Sequence, residues 1–316
     1  MPPHNKKPAH GPKNNRVKRI NDNSAKLTQA EQYAEISKLL DAGEVQTAYQ
    51  LCMQALSTTA TVDMLDMIAE VCQTQSDMIN ATRALQIALT KDASSSFAAT
   101  RFIQLFNING DINAVHSAIK LLAKAPESPQ RNEQLCYCYS NASQFHIQVD
   151  QNLQQALKFA TLAAQLDFLQ GKVQLAGCLL CDNKLEECEQ ISGAIFQDFI
   201  QKGLLVVNEN GGYGYKMNQF LPESQVLVNF SRILVALQKL DEAEAVVELA
   251  IQQNADDPVV IHEMAWIMNL KEDYEEAYQL LLRVRGLYLS QGIPETDEVI
   301  LDVDEKLKQF QGMITE

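Results

Sequence analysis

The sequence predicts an all-α protein in which about seven helix pairs stack into a right-handed α-solenoid that ends in a C-terminal capping helix. Three observations predict this fold. Apolar residues recur at helical spacing from Leu27 almost to the end of the chain. Pro and Gly are scarce, at 9 and 13 of 316 residues, so few positions interrupt a helix. Similar short segments also return at a nearly constant interval, which is typical of helical repeats.

The two ends of the chain differ from its body. Residues 1–26 contain seven Lys and Arg, one Asp and almost no large apolar side chains. Such a segment cannot bury enough apolar surface to offset the entropy lost on ordering, so we predict a disordered basic tail. We assign residues 27–311 to the solenoid and residues 312–316 to a flexible C-terminus.

A recurring signature marks the second helix of each pair. A small residue stands where the two helices cross, and small or apolar residues follow four and seven positions later. The signature positions are Ala48, Cys52 and Ala55; Ala81, Leu85 and Ala88; Val115, Ile119 and Leu122; Ala156, Ala160 and Ala163; Cys188, Ser192 and Ile195; Ala243, Val247 and Ala250; and Ala277, Leu281 and Val284. One helix pair cannot bury its apolar face alone, so stacked pairs with a shared core and a concave groove are expected.

The middle of the array is less regular. Ala156 follows Val115 by 41 residues, which predicts a longer first helix in the fourth pair. We assign an insertion to residues 203–222, and we expect a flexible loop there because Gly-Gly-Tyr-Gly at 211–214 lacks the Lys and the helix start of a phosphate-binding loop. A last helix from about Glu295 to Phe310 should cap the stack.

Catalytic and metal-binding motifs are not recognisable, so we predict a protein that is not an enzyme and has no catalytic residues, metal or cofactor. The pairs Cys136/Cys138 and Cys178/Cys181 have spacings seen in metal sites. They fall inside predicted helices without paired His ligands, which favours small core residues over zinc binding. None of the five His lies in a catalytic motif. The longest apolar runs fall short of a membrane span, so no membrane partner is expected.

The charge of the chain is unevenly distributed. The net charge is −14, and because the first 26 residues contribute +6, the other 290 carry −20. Residues 223–316 alone contain 19 acids and seven bases. A body of this charge should repel nucleic acid and attract basic protein segments. Two interpretations of the acidic clusters remain open: an outer face that keeps the protein soluble, or a surface that receives a Lys/Arg-rich peptide.

Candidate partner contacts follow from the repeat position, because the first helix of each pair should line the groove. The predicted contacts are Asp63, Asp66, Glu70, Gln104, His262, Glu263 and Trp266, with Asp256 and Asp257 as supporting charge. Trp266 is the only tryptophan. It is either a core residue or an anchor for a partner.

The helix-pair unit, with its repeat length of about 34 residues, resembles the tetratricopeptide repeat. The order of the units resembles a narrower family, the dedicated assembly chaperones of ribosomal large-subunit protein L-four. The resemblance lies in the leucine-rich stretch 64–70, the middle helix at 135–140, Leu221-Pro222 at the end of the insertion, and Asp256-Asp257 before an apolar helix. It implies a concave acidic surface that shields a basic segment of the ribosomal protein before it joins the pre-ribosome.

The sequence therefore predicts a non-catalytic chaperone for a basic ribosomal protein. The alternative is a generic scaffold in another multiprotein complex. The basic run Lys13–Arg19 is either a nuclear import signal bound by import factors or a tail that solubilises the protein or touches RNA. With the first interpretation we expect the protein in both the cytoplasm and the nucleus.

Overall fold

A computed structural model describes residues 27–57, 59–92, 112–208, 211–215 and 221–315. Gln104 and the predicted basic tail lie outside these residues. The described helices are α1 (Gln29–Asp41), α2 (Val45–Ala55), α3 (Val62–Thr74), α4 (Met78–Lys91), α5 (Ile112–Lys124), α6 (Pro129–Gln148), α7 (Leu153–Ala164), α8 (Leu169–Cys181), α9 (Leu185–Gln201), α10 (Ser224–Ala236), α11 (Leu240–Gln253), α12 (Pro258–Leu270), α13 (Tyr274–Ser290) and α14 (Glu298–Thr315).

The chain forms two compact units whose boundary falls between Ala84 and Leu85, inside α4. In the first unit α1 packs on α2, and α2 packs on α3. Helix α1 begins at a capping box: the Thr28 hydroxyl accepts from the Glu31 N–H, and the Glu31 carboxylate accepts from the Thr28 N–H. Buried apolar side chains from all three helices, among them Ile36, Cys52 and Leu65, form the core of this unit.

The second unit is a series of consecutive antiparallel helix pairs, α6/α7, α8/α9, α10/α11 and α12/α13. The first helices also contact one another in order, α6 with α8, α8 with α10 and α10 with α12. We call these four first helices the inner layer. One hydrophobic core runs from Val173 to Phe310. Helix α6 has 20 residues, which confirms the longer first helix that the spacing predicts.

The repeat signature is confirmed by burial. Every residue that opens a signature, from Ala48 to Ala277, is fully buried in the second helix of its pair. Ser192 takes the place of an apolar residue in α9 and is also fully buried. Close helix crossing requires these small side chains, because a larger one would overpack the contact.

Five of the described turns inside a pair share one backbone form. In the pairs α1/α2, α3/α4, α8/α9, α10/α11 and α12/α13, the residue two positions before the second helix has a positive φ. These residues are Gly43, Ser76, Asn183, Gln238 and Glu272, with φ between 57° and 72°. The N–H of the next residue donates to a carbonyl five positions back, as from Lys239 to Leu234 at 2.9 Å. This is the Schellman ending of an α-helix.

Two boundary predictions need correction. The insertion at 203–222 is not simply a loop, because β1 (Leu205–Val207) pairs antiparallel with β2 (Tyr213–Tyr215). Tyr213 stacks edge-on against Phe196 of α9 at a centroid distance of 5.0 Å, which ties the hairpin to the core. The predicted flexible C-terminus from residue 312 is helical to Thr315, because α14 continues past Phe310.

Candidate functional site

A cavity of about 400 Å³ lies in the inner layer. Helices α6, α8 and α10 form its walls. Its size lies within the range of ~300–1,000 Å³ that is usual for ligand sites. The cavity lies on first helices, where the repeat position places a groove.

Six of the fifteen residues that line this cavity carry side-chain amides. Each of the three helices contributes two of them, three or four positions apart in sequence, so that both lie on one helix face. The pairs are Asn141 and Gln144 on α6, Gln170 and Gln174 on α8, and Gln225 and Asn229 on α10. We call this feature the amide cavity. Sequence reasoning missed it, although the matched spacing of amides on three consecutive first helices was visible in the chain.

These amides make few hydrogen bonds to other groups of the described chain. Asn141 Nδ2 donates to the Tyr137 carbonyl at 2.9 Å, and Gln225 Nε2 donates to Asn229 Oδ1 at 3.2 Å. Gln174 Nε2 donates to the hydroxyl of Ser143 at 3.1 Å. Within the part of the chain that the structure describes, the side-chain amides of two further lining residues make no hydrogen bond. These are Gln144 and Gln170.

The amide cavity is nearly uncharged. Among the described residues, Glu223 is the only ionic side chain that lines it. The acidic clusters of the second unit lie instead on second helices and on α14, as with Asp241 and Glu244 of α11, which share Lys271 of the α12–α13 turn. None of the predicted acidic contacts lines this cavity.

In the first unit, the predicted acidic contacts follow one face of α3. Asp63 and Glu70 are exposed, and Asp66 is half-buried. Spacings of three and four residues bring all three carboxylates to the same side of the helix. We call Asp63, Asp66 and Glu70 the α3 acidic stripe.

Glu263 is positioned differently from the prediction. It is only 4% exposed, and its Oε2 accepts from Arg232 Nε of α10 at 2.8 Å. A buried carboxylate with a cation beside it has no free charge to offer a basic partner. The exposed group at this point is Arg232, whose side chain is 55% exposed. The reason is register: Glu263 lies on the side of α12 that faces α10.

The remaining predicted contacts lie just before α12 or within it, and they differ in exposure. Asp257 is the N-cap of the helix and accepts from the Val259 N–H at 2.9 Å, so its carboxylate stabilises the helix start. Asp256 is well exposed, with Arg283 at 3.4 Å. His262 is half-buried and its Nε2 lies 3.1 Å from Lys306 Nζ of α14.

Burial lowers the pKa of His262, and the nearby Lys306 lowers it further. The neutral imidazole therefore accepts from the Lys306 ammonium through Nε2, which leaves the proton on Nδ1. The Lys306 ammonium also contacts Asp302 at 2.7 Å. His262 thus connects α12 to the capping helix.

Trp266 is 45% exposed, so it is not a core residue. Val259 and Leu270 of the same helix are also exposed, at 42% and 36%. Positions 259, 266 and 270 share one face of α12, and we call them the α12 apolar stripe. An exposed group of apolar side chains of this kind is typical of a contact surface.

All seven cysteines lie within the described ranges. Six are buried and one, Cys181, is exposed at the wall of the amide cavity. Burial raises the pKa of Cys138 to about 12, so its thiol stays protonated at neutral pH. In the described part of the chain no three His, Cys, Asp or Glu side chains converge as metal ligands. None of the helices described there is both long and apolar enough to span a bilayer.

Comparison with known proteins agrees with the helix-pair architecture: the chain has the fold of tetratricopeptide repeat (TPR) proteins. It is similar in structure to the assembly chaperone of RpL4 (Acl4), with a TM-score of 0.52 and 13% identity over 79% of this chain and 99% of that one. It is also similar to a TPR protein from Parabacteroides merdae, with a TM-score of 0.50 and 14% identity over 90% of this chain and 98% of that one.

No model of a protein family matches the chain, and no curated protein matches its sequence. The resemblance to Acl4 that the order of the repeats suggests is thus supported at the level of fold.

Proposed function

We propose that this protein is a non-catalytic chaperone that binds a basic segment of a ribosomal protein of the L-four type before that protein joins the pre-ribosome. One observation carries the proposal: a TPR fold similar to that of the RpL4 assembly chaperone has a charge of −20 outside its first 26 residues. A basic ribosomal protein without its RNA exposes Lys and Arg that bind other polyanions. An acidic TPR body competes for those charges.

The α3 acidic stripe is the part of the first unit best suited to this task. Its carboxylates lie on one helix face and two of them are exposed. Asp256 adds exposed negative charge in the second unit. Glu263 is left out of this role because Arg232 already balances it.

The test has two parts. The tagged protein is isolated from its native cell at low salt, and mass spectrometry identifies what remains bound. We expect a basic ribosomal protein, together with import factors. Purified partner is then titrated against Asp63→Asn/Glu70→Gln, and against Glu275→Gln/Glu276→Gln as a control with the same charge change in the first turn of α13.

We expect the α3 variant to weaken binding several-fold and the α13 variant to change it little, because close charges count more than distant ones. Equal effects from both variants would show that the stripe acts only through the net charge of the protein and makes no local contact with the partner. Recovery of subunits of an unrelated complex, without ribosomal proteins, would overturn the proposal.

A generic scaffold is the second candidate, and the α12 apolar stripe favours it. Val259, Trp266 and Leu270 suit an apolar or helical partner better than a basic one. Trp266→Ala separates the two candidates, because a scaffold that anchors its partner on Trp266 loses binding at all salt concentrations.

The basic run Lys13–Arg19 leads to a proposal about where in the cell the protein is found. We propose that it brings the protein into the nucleus, so that the protein is found in both cytoplasm and nucleus. Replacing its Lys and Arg by Ala in a fluorescent fusion should confine the protein to the cytoplasm. An unchanged distribution would contradict this part.

A further inference from the structure

A second cavity, of about 300 Å³, lies on the opposite face of α8 from the amide cavity. Positions 169, 172 and 175 line it, and helical spacing turns them about half a turn away from positions 170, 174 and 177, which line the amide cavity. Its other walls are the end of α7 with the turn that follows, and one face of α9. Helices α7 and α9 are second helices that both pack on α8. We call this feature the outer cavity.

The interior of the outer cavity suits apolar groups. Its lining contains two small and four large aliphatic side chains: Ala164, Leu169, Leu175, Ile191, Ala194 and Ile195. The two alanines leave space because their side chains are short. Among the described residues no side-chain hydroxyl or amide lines the cavity. A polar group that entered it would lose its hydration without gaining a hydrogen bond from such a side chain, so the favoured occupant is apolar.

Two ion pairs lie at the mouth of the outer cavity. Lys172 Nζ is 2.6 Å from Asp167 Oδ1, and Lys202 Nζ is 2.6 Å from Asp198 Oδ2. The hydrogen bond and the charge of Lys172 lower the pKa of Asp167, and the charge of Lys202 lowers it further, so the second pair lies close to the first. An ammonium has three N–H donors and a carboxylate accepts several hydrogen bonds. Each pair can therefore contact one more charged group.

We propose that the outer cavity receives one large apolar side chain from a helix of a partner protein, and that this helix carries an acidic and a basic residue beside that anchor. The mouth has two positive and two negative side chains, so it is complementary to a partner surface with both signs. In a helix, the residues four before and four after the anchor lie on the same face, ~5–6 Å away on either side. They meet the mouth while the anchor enters the cavity. A groove between two helices also suits a third helix.

This inference goes beyond the proposed function and does not rest on it. The contact involves α7, α8 and α9, it depends mainly on apolar burial, and it needs a partner with both charges instead of a basic one. The variant Asp63→Asn/Glu70→Gln, which tests the proposed function, should bind such a helix as the wild type does. Failure of one proposal therefore leaves the other in place.

The probes are Ala- and Gln-based helical peptides of about 18 residues, long enough to form a helix in water, with a dye at one end. The central anchor is Leu, Ile, Met, Phe or Trp. Glu stands four residues before it and Lys four after it, or the reverse. Control peptides have Ala at the anchor, or two Glu or two Lys beside it. Binding to the full chain is measured by fluorescence anisotropy.

At least one of the peptides with both charges should bind. Its version with Ala at the anchor should bind roughly 10–100-fold more weakly, as expected when a buried apolar side chain is lost. Its versions with two like charges should bind several-fold more weakly, the size usual for exposed ion pairs. High salt should weaken binding by no more than that factor, because the apolar contact is not screened.

Two variants of α9 locate the binding site. Ala194→Phe puts an aromatic ring at the wall of the outer cavity and should weaken binding of the best peptide at least roughly tenfold, because the ring occupies the space of the anchor. Gln197→Phe adds the same ring to α9 outside the cavity and should leave the affinity unchanged. Both positions are exposed, so both variants should melt near the wild-type temperature.

Three results would overturn the proposal. The first is that no peptide with both charges binds better than its version with Ala at the anchor. The second is that Ala194→Phe binds the best peptide as tightly as the wild type, which would locate the contact elsewhere. The third is equal binding of the peptides with two like charges, because the mouth would then not select a partner with both signs.

Discussion

Ala277 lies at the crossing of α12 and α13 with no exposed surface. Replacement by Leu adds three carbon atoms at this fully buried contact, and overpacking of this kind costs ~1–3 kcal/mol. We expect Ala277→Leu to lower the free energy of unfolding by that amount in a denaturant titration. Gln279→Leu is the matched control on the exposed face of the same helix, and it should be nearly neutral. Equal stabilities would contradict the close crossing.

His262 gives the stability a predictable pH dependence. Its pKa in the folded protein is lowered by burial first, and then by Lys306 and Arg232, while Asp302 acts in the opposite direction. The unfolded chain therefore binds more protons than the folded one as the pH falls through the usual pKa of His, near ~6.5. The stability that neutral His262 contributes is complete above that pH and is lost below it.

We expect His262→Gln to flatten the fall in unfolding free energy between about pH 7 and pH 5. His116 should act in the same direction, because burial lowers its pKa and the neighbouring His146 lowers it further. The double variant His116→Gln/His262→Gln should be flatter still. If the unfolding free energy of both variants depends on pH as in the wild type, these imidazoles do not couple folding to pH.

At the scale of helices, the contact between α7 and α8 depends on Gly171. A side chain at this position would overlap the carbonyl of Ala163 and come within 2.9 Å of the Ala164 nitrogen. The obstacle is backbone, which cannot move aside as a side chain can.

We expect Gly171→Ala to lower the melting temperature clearly, with a loss of ~1–3 kcal/mol or more. Gly193→Ala in α9 is the control, because open space surrounds that position. Ala is also a better helix former than Gly by ~1 kcal/mol, so the control should be slightly more stable than the wild type. A stabilised Gly171→Ala variant would exclude the close approach of α7 and α8.

The helices were predictable from the sequence because each helix crossing requires a small side chain, and small residues recur at those positions. Ala243 and Ala277 stand one repeat length apart, since each crossing needs a small side chain. The turns were not predictable in the same way. Ser76, Gln238 and Glu272 adopt the left-handed conformation that Gly favours. Because these residues are not Gly, the repeated turn cannot be recognised from residue types.

The hairpin and the amide cavity show two further limits of prediction from one sequence. Asn210-Gly211 is a hairpin-turn signal in the sequence, but the glycines that follow it also resemble part of a phosphate-binding loop. The amides of Gln170 and Asn229 carry no charge, so the net charge of the chain gives no indication of the cavity that they line. Glu263 looked available because one sequence does not show that Arg232, 31 positions earlier, lies beside it.

At the scale of the whole chain, the acidic clusters and the amide cavity lie on different helices. In the second unit acids are concentrated on second helices and on α14, while the amide cavity of the inner layer is almost neutral. In the proposed function, the negative body would draw a basic partner in by long-range attraction.

The salt dependence of partner binding tests the central claim most directly. The dissociation constant of the purified protein with a basic ribosomal protein is measured by titration calorimetry from low to high salt. The account predicts that the constant rises at least roughly tenfold over this range, because screening removes the attraction of the acidic body. A dissociation constant that stays unchanged from low to high salt would contradict it.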